Sequence, residues 1–284
     1  MVERGWRMKN TIRLTDYKKE EIFKIFKIAD ELQTTDKYKD FLKGKTAVMF
    51  FPNNSIRTRI SFEKGINLLG GQTILFPPET LNKKEEIKDV VGYLNNWADV
   101  AIIRHKNIEL LYEISSYSKF PVVNAMTTAN HPCEILTDLY SLSKIREDFL
   151  KDNYLFVGEN ANIGLAWKEA SELMGIKLTQ SCPKGYEIKG INVIYDLKEA
   201  IKNIDIVCTD PFPSSEKENF KNHQITKQIM ELANENAILN PCPPFYRGNE
   251  VSEDVIDSEY FVGYEFKKHL LEVQQAIIIY NLTN

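Results

Sequence analysis

Stretches of strand character alternate with stretches of helical period along almost the whole chain, and this alternation constrains the fold more than any other feature of it. Ile22, Ile25, Phe26, Ala29 and Leu32 recur at helical spacing, which predicts a helix between Thr15 and Leu32 capped by Thr15 or Asp16. The apolar run from Thr46 to Phe51 predicts a buried strand ending at Pro52-Asn53-Asn54. Helical spacing returns from Thr58 to Leu69 and stops at Gly70-Gly71, before a second strand from Gln72 to Phe76. The same reading predicts a helix from Glu85 to Trp97, a strand at Val100 to Ile103, a helix from Ile108 to Ser116 and a strand at Pro121 to Asn124. A long helix then starts at Pro132 and runs to about Phe149.

A second series follows. Strands are expected at Tyr154 to Val157, Lys177 to Gln180, Ile204 to Val207 and Ala237 to Leu239. Helices are expected at Ile163 to Met174, Leu197 to Lys202, Lys227 to Ala233 and Phe266 to Tyr280. Strands separated by helices of this length form parallel βαβ units. The length of 284 residues suits two such domains. The expected fold is therefore α/β, with two doubly wound parallel-sheet domains bridged by two interdomain helices. Residues 1–150 form the first domain and 151–265 the second, and the C-terminal helix, 266–284, packs back on the first.

Composition removes several classes of function. At 43% hydrophobic and 27% charged residues the chain is neither disordered nor fibrous. Lysine plus arginine is 36 against 40 acids, so the cationic excess that nucleic acid demands is missing. The four cysteines, Cys133, Cys182, Cys208 and Cys242, stand far apart with no CxxC pair, which favours reduced thiols over a zinc site or a disulfide framework. The N-terminus is charged and lacks the apolar run of a signal peptide, and no run of 18 apolar residues exists to span a membrane. A soluble cytoplasmic protein is expected.

Open α/β sheets bind ligands beyond the carboxyl ends of their strands. On that rule the segments to inspect are 52–59, 76–85, 104–106, 124–134, 158–163, 209–216 and 240–247. Ser55-Ile56-Arg57-Thr58-Arg59 follows a strand and opens a helix. Helix-start amides, hydroxyls and a guanidinium fork make a phosphate site, although a serine cap followed by surface arginines has the same pattern. Arg104-His105 ends another strand on the same edge, and His131-Pro132-Cys133-Glu134 begins the long helix, with Pro132 suited to a first helical position. Each alone is weak, but together they bring two basic strand ends and a histidine to one sheet edge.

These segments resemble the aspartate/ornithine carbamoyltransferase family, with the motifs in family order over nearly the whole chain. Ser55-Ile56-Arg57-Thr58-Arg59 matches four of the five residues of the family's Ser-Thr-Arg-Thr-Arg, and Arg104 resembles its second anion-binding arginine. His131-Pro132-Cys133 resembles the His-Pro-Cys/Thr-Gln signature, Asn240-Pro241-Cys242-Pro243 the second-domain His-Pro-Leu-Pro loop, and Arg247-Gly248-Asn249-Glu250-Val251 an ornithine-branch segment. The resemblance implies transfer of a carbamoyl group from carbamoyl phosphate to an amine, without metal, cofactor or covalent enzyme intermediate. Ser55, Ile56, Arg57, Thr58 and Arg104 would then hold the phosphate. Thr58, Arg104 and His131 would serve the carbonyl oxygen, and Glu134 with the main chain of Cys242 or Pro243 would meet the carbamoyl NH₂. Lys83 or Lys84 would reach a neighbouring subunit's site, as in family trimers; the bland alternative is a solvated charge run. A homotrimer or a multiple of it follows, with no nucleic-acid or membrane partner.

Departures from the family pattern concern the second substrate. Glu134 stands where the family has glutamine, and unit charges ~5 Å apart repel by about 3 kcal/mol at an effective dielectric of 20. A protonated carboxyl or a nearby cation, from Lys83, Lys84 or the substrate, would relieve this. The ornithine branch's Asp-x-x-x-Ser-Met-Gly reads Asp210-Pro-Phe-Pro-Ser214-Ser215-Glu216, which keeps an aspartate and a serine and adds an acid. No arginine near this loop offers itself to a substrate carboxylate. Asn162 in Gly158-Glu159-Asn160-Ala161-Asn162 matches a residue that binds the amino acid's backbone groups, or it belongs to an Asn-rich turn. The arginine of the last signature falls at Leu270. Asn162, Asp210, Ser214 and Ser215 are therefore the expected contacts of ornithine or a related cationic amine. A catalytically weak paralogue that binds an anion or a partner is the alternative. A nucleotide-dependent dehydrogenase is excluded because Asn160 and Ile163 occupy glycine positions of the dinucleotide fingerprint.

Overall fold

The computed structural model describes residues 8–82 and 84–284. The chain divides into two compact units, one formed by the chain up to Ser141 together with Lys268–Asn284 and the other by Leu142–Lys267.

In the first unit, strands β1 (Thr46–Phe50), β2 (Gln72–Phe76), β3 (Val100–Arg104) and β4 (Val122–Met126) form a parallel sheet in the order β2-β1-β3-β4. β1, β3 and β4 are apolar almost residue by residue because a parallel sheet is covered on both faces. β2 lies at the edge and differs, with Gln72, Ile74 and Phe76 exposed in alternation. At the opposite edge Thr11 bridges in parallel to Val123.

Helices α1 (Lys19–Thr34), α2 (Arg57–Leu68), α3 (Ile87–Leu94), α4 (Ile108–Tyr117) and α5 (Pro132–Ile145) punctuate this sheet in chain order. The cap expected at Thr15 or Asp16 lies elsewhere. Leu14–Asp16 is a separate 3₁₀ turn in which the Asp16 carboxylate accepts from the Ile12 and Arg13 amides, and α1 starts only after Lys18, whose N–H is met by Glu21. α3 and α5 are also shorter than their apolar patterns suggest. Apolar spacing marks which residues are buried and does not mark where backbone hydrogen bonding stops.

The second unit holds β5 (Asn153–Val157), α6 (Asn162–Met174), β6 (Lys177–Ser181), β7 (Asn192–Val193), α7 (Leu197–Ala200), β8 (Ile206–Thr209), α8 (Lys217–Phe220), α9 (Lys227–Met230), β9 (Ile238–Pro241) and α10 (Glu253–Ile256). Its parallel sheet runs β7-β6-β5-β8-β9. Two-residue β7 and four-residue α8 and α10 carry too few residues to show a period, and the sequence pattern misses them. β8 lies two residues beyond its expected start, since Asp205 is occupied in accepting from the Asn153 amide and the Asn234 carboxamide. The core joins Leu155, Val157, Val207 and Leu239 of the sheet to Leu197, Phe220, Met230 and Val255 of the helices.

The chain ends in α11 (Leu270–Thr283), which packs on α1 and α2 of the first unit. The carboxamide of Gln275 donates to the Gly65 carbonyl at 2.8 Å, and a Cβ at Gly65 would stand 2.9 Å from Gln275 Cγ. Only glycine allows α2 and α11 to approach this closely.

Strand order positions the site. With right-handed crossovers, successive connections leave opposite faces of the sheet where the order reverses, and a crevice opens there. The reversals fall between β1 and β3 in the first unit and between β5 and β8 in the second.

Candidate active site

At the first unit's reversal, the chain leaves β1 through a turn closed by the Ser55 amide on the Pro52 carbonyl (3.0 Å) and enters α2. Ser55 is buried, and its Oγ accepts a hydrogen bond from Arg104 Nη1 at 3.1 Å. The serine-cap alternative is thereby set aside. The N-cap residue is Ile56, which is exposed, and no side chain caps α2. The first-turn amides of a helix need partners and carry partial positive charge, so this end suits an anion. Thr58 is buried in that turn, while Arg57 is exposed beside it. Arg59 is committed to Glu63 at 2.9 Å, so the two arginines of the motif differ in role.

Arg104 is the last residue of β3, where the pairing with β4 shifts register: Ile103 pairs with Asn124 and Arg104 with Met126, which leaves Ala125 of β4 as the extra residue. The structure brings Ser55 and Arg104, 49 residues apart in sequence, into direct contact. His105, the other half of the Arg-His pair, turns to Asn82 (3.2 Å) and its own loop.

His131 and Glu134 stand one strand further along, at the start of α5. The chain leaves β4 through a turn in which Thr127 N–H donates to the Asn130 carbonyl at 2.9 Å, and Pro132 opens the helix. His131 and Glu134 are both buried, an uncommon setting for a carboxylate. Burial, reinforced by the Glu134 charge, pushes the Cys133 thiol far up, and its Sγ faces the Asn124 carbonyl. That thiol is inert packing and no nucleophile. Of the lysine pair, Lys84 is exposed beyond β2, and Lys83 lies outside the described residues.

The second unit's reversal carries the other set. Thr209 Oγ1 donates to the Val157 carbonyl at 2.7 Å and ties the ends of β5 and β8 together. Asn162 is the first residue of α6 and half-buried; its Oδ1 accepts from the Ile163 amide at 3.0 Å. In the same turn, burial raises the pKa of the Glu159 carboxyl. Asp210 is half-buried just after β8. Phe212 is buried and stacks on Phe220, with ring centroids 4.6 Å apart. Ser214 and Ser215 form the exposed tip of a turn closed by Glu216 N–H on the Pro213 carbonyl at 2.9 Å. Glu216 accepts from Asn219 at 2.7 Å and is thus engaged by its own helix.

Cys242 and Pro243 follow β9 in this second unit, whereas the other expected phosphate and carbamoyl contacts belong to the first. The Cys242 amide donates to the Thr209 carbonyl at 2.8 Å, which leads the chain past the end of β8. The Arg247–Val251 segment is structural. Arg247 pairs with Asp257 at 2.9 Å, and fully buried Glu250, its pKa raised by burial, accepts from the Tyr246 amide. Leu270 is buried, and the neighbouring His269 ring stands edge-on to Tyr140 at 5.2 Å. The sequence reading missed Gln180, taken as an ordinary strand residue. Its signal is a carboxamide at a fully buried strand position.

A basic, hydroxyl-bearing cluster at one switch point and an acid-and-amide set at another fit a two-domain α/β enzyme that takes a phosphorylated donor and an amine. The two halves match family models in succession. Residues 9–144 match the carbamoyl-P binding domain of aspartate/ornithine carbamoyltransferase, and 151–281 match the Asp/Orn binding domain. The chain belongs to the aspartate/ornithine carbamoyltransferase family. It is 32% identical over 302 aligned residues to the anabolic ornithine carbamoyltransferase of Campylobacter jejuni, covering 96% of this chain and 97% of that one. The crystal structure of the anabolic C. jejuni enzyme superposes with a TM-score of 0.88 at 29% identity, over 96% of this chain and 99% of that one. The ornithine carbamoyltransferase of Pyrococcus furiosus gives 0.90 at 26%, over 95% and 96%. Among the described residues no helix is long and apolar enough to cross a membrane.

Proposed function

We propose that this protein transfers the carbamoyl group of carbamoyl phosphate to ornithine or a closely related cationic amine, and releases phosphate. The observation that carries the reading is the Ser55–Arg104 hydrogen bond at the first switch point, beside the uncapped start of α2. Ser55, Arg57, Thr58, Arg104 and the α2 amides, that of Thr58 included, hold the phosphate dianion and stabilise the charge that grows as it departs. Thr58, Arg104 and His131 donate to the carbonyl oxygen as it becomes an oxyanion. Glu134 and the main chain at Cys242 and Pro243 accept from the carbamoyl NH₂.

The amine nitrogen attacks the carbonyl carbon. A C–N bond forms, the carbon–oxygen bond to phosphate breaks, and the ammonium proton leaves with the phosphate. Asn162 takes the amino acid's backbone groups, Asp210 pairs with its ammonium, and Ser214 and Ser215 line the approach. Asp210 and Glu159 place two acids at the second unit's switch point, which supports a cationic acceptor and disfavours aspartate. We place the protein in the cytoplasm, in keeping with four buried cysteines that stand far apart in sequence with no CxxC pair.

We further propose a homotrimer, or a multiple of it, with Lys83 or Lys84 reaching the neighbouring copy. Its support is that edge strand β2 exposes Ile74 and Phe76, since an exposed apolar sheet edge is a common site of protein contact.

Phosphate release from carbamoyl phosphate tests the transferase reading. Release that depends on ornithine, and is lost in Arg57→Ala, is expected. Release with aspartate alone would overturn the acceptor assignment. Silence with every amine, despite binding of carbamoyl phosphate, would favour the weak, anion-binding paralogue.

A further inference from the structure

Gln180 is fully buried on β6, opposite Phe156 of β5, and its carboxamide is satisfied entirely by backbone groups. Nε2 donates to the Gly158 carbonyl at 2.9 Å and to the Tyr186 carbonyl at 3.0 Å, and Oε1 accepts from the Ile188 amide at 2.7 Å. Gly158 opens the turn that ends at Asn162. Tyr186 and Ile188 belong to the loop after β6, and that loop leads in two directions.

Ile188 supports α6. A Cβ at Gly164 would stand 2.7 Å from Ile188 Cδ1 and 2.6 Å from Phe156 Cε1, so the first turns of α6 rest on these side chains with no room to spare. Tyr186 leads the other way. Its ring meets Phe220 edge-on at 4.9 Å, and Phe220 stacks at 4.6 Å on Phe212, two residues beyond Asp210. One buried carboxamide therefore adds a connection between the segment bearing Asn162 and the segment bearing Asp210, which follow the paired strands β5 and β8 and share the Thr209–Val157 hydrogen bond.

We propose that Gln180 is a positioning residue for the amine acceptor: by fixing the Gly158 carbonyl and the Tyr186–Ile188 segment, it sets the spacing of Asn162 and Asp210. The inference rests on the reading that these two residues hold the amine. A carboxamide suits the task because two carbonyls and one amide must be met at a single buried point. Leucine meets none of them, and glutamate would present a charged acceptor to two carbonyls. Displacement of binding groups by a fraction of an ångström is felt in substrate affinity well before it is felt in the core.

The test is steady-state kinetics of Gln180→Leu with L-ornithine varied at saturating carbamoyl phosphate, together with calorimetric binding of carbamoyl phosphate alone. The ornithine KM is expected to rise roughly tenfold or more, while carbamoyl phosphate affinity stays within about twofold of wild type. Phe212→Leu disturbs the aromatic connection at its far end and is expected to give the same split. It bears the test alone should Gln180→Leu fail to fold. An unchanged ornithine KM in the folded variants, or an equal loss of carbamoyl phosphate affinity, would overturn the proposal. Asn162→Ala and Asp210→Ala separate the two levels. If these raise the ornithine KM and the Gln180 and Phe212 variants do not, the positioning role alone fails. If Asn162→Ala and Asp210→Ala leave it unchanged, the amine assignment fails and the proposal with it.

Discussion

Glu134 is the residue at which sequence and chemistry pull hardest against each other. It is buried in the first turn of α5, three residues after His131 and on the domain proposed to bind a phosphate dianion. The helix start favours its negative charge and the nearby anion opposes it. A cationic acceptor would resolve the conflict, because its ammonium would offset the carboxylate. Glu134→Gln is therefore expected to tighten carbamoyl phosphate binding several-fold in calorimetry while weakening ornithine, read as a higher KM. Weaker carbamoyl phosphate binding in that variant would mean that the carboxylate makes a contact with the donor that glutamine cannot make. Ser55 carries a related lesson. From sequence it is a helix cap or a ligand, and in the structure it does not cap α2 but accepts from Arg104.

At the scale of elements, short connecting turns hold the second unit's loops, and one of them is sensitive to pH. His223 is buried after α8, stands edge-on to Phe220 at 5.9 Å, and makes an Nε2 contact with the Tyr195 carbonyl at 3.1 Å. Burial lowers its pKa, only partly countered by the Tyr195 and Cys182 carbonyls and by Asp196. A histidine depressed in the folded state is fully stabilising above its unfolded pKa, about 6.5. Its contribution is lost as pH falls from there toward the folded value, because the unfolded chain takes up the proton first. Thermal unfolding should show wild type losing more stability than His223→Gln between pH 7 and 5. Parallel pH profiles would remove His223 from the acid response.

The same elements show what a sequence reveals. β1, β3, β5 and α6 are legible because burial on a parallel sheet writes long apolar runs and regular periods. β7, α8 and α10 are too short to write any. The phosphate motif is legible because its groups are contiguous. The Ser55–Arg104 contact joins residues 49 apart in sequence, and the Gln180 connection runs through backbone carbonyls and an amide, none of which is written in a contiguous motif.

On the scale of the whole molecule, two parallel sheets each reverse their strand order once, and each reversal gathers one substrate's chemistry. The first collects hydroxyls, guanidinium groups and helix-start amides; the second collects acids and amides. On the proposed reading each unit carries one substrate's contacts, so catalysis would require both, and the proposed trimer is tested at this scale. Sedimentation velocity should give a trimer or a multiple of three, and a fully active monomer would contradict the shared-site arrangement.

The central claim, carbamoyl transfer to a cationic amine, is tested most directly by competition. Carbamoyl phosphate labelled with ¹³C in the carbamoyl carbon is offered to the protein with ornithine and aspartate at equal concentration, and the label is followed by NMR. The account predicts that the label appears in a ureido group on ornithine, with almost none on aspartate. Label predominantly on aspartate, or no transfer from a protein that binds carbamoyl phosphate, would contradict it.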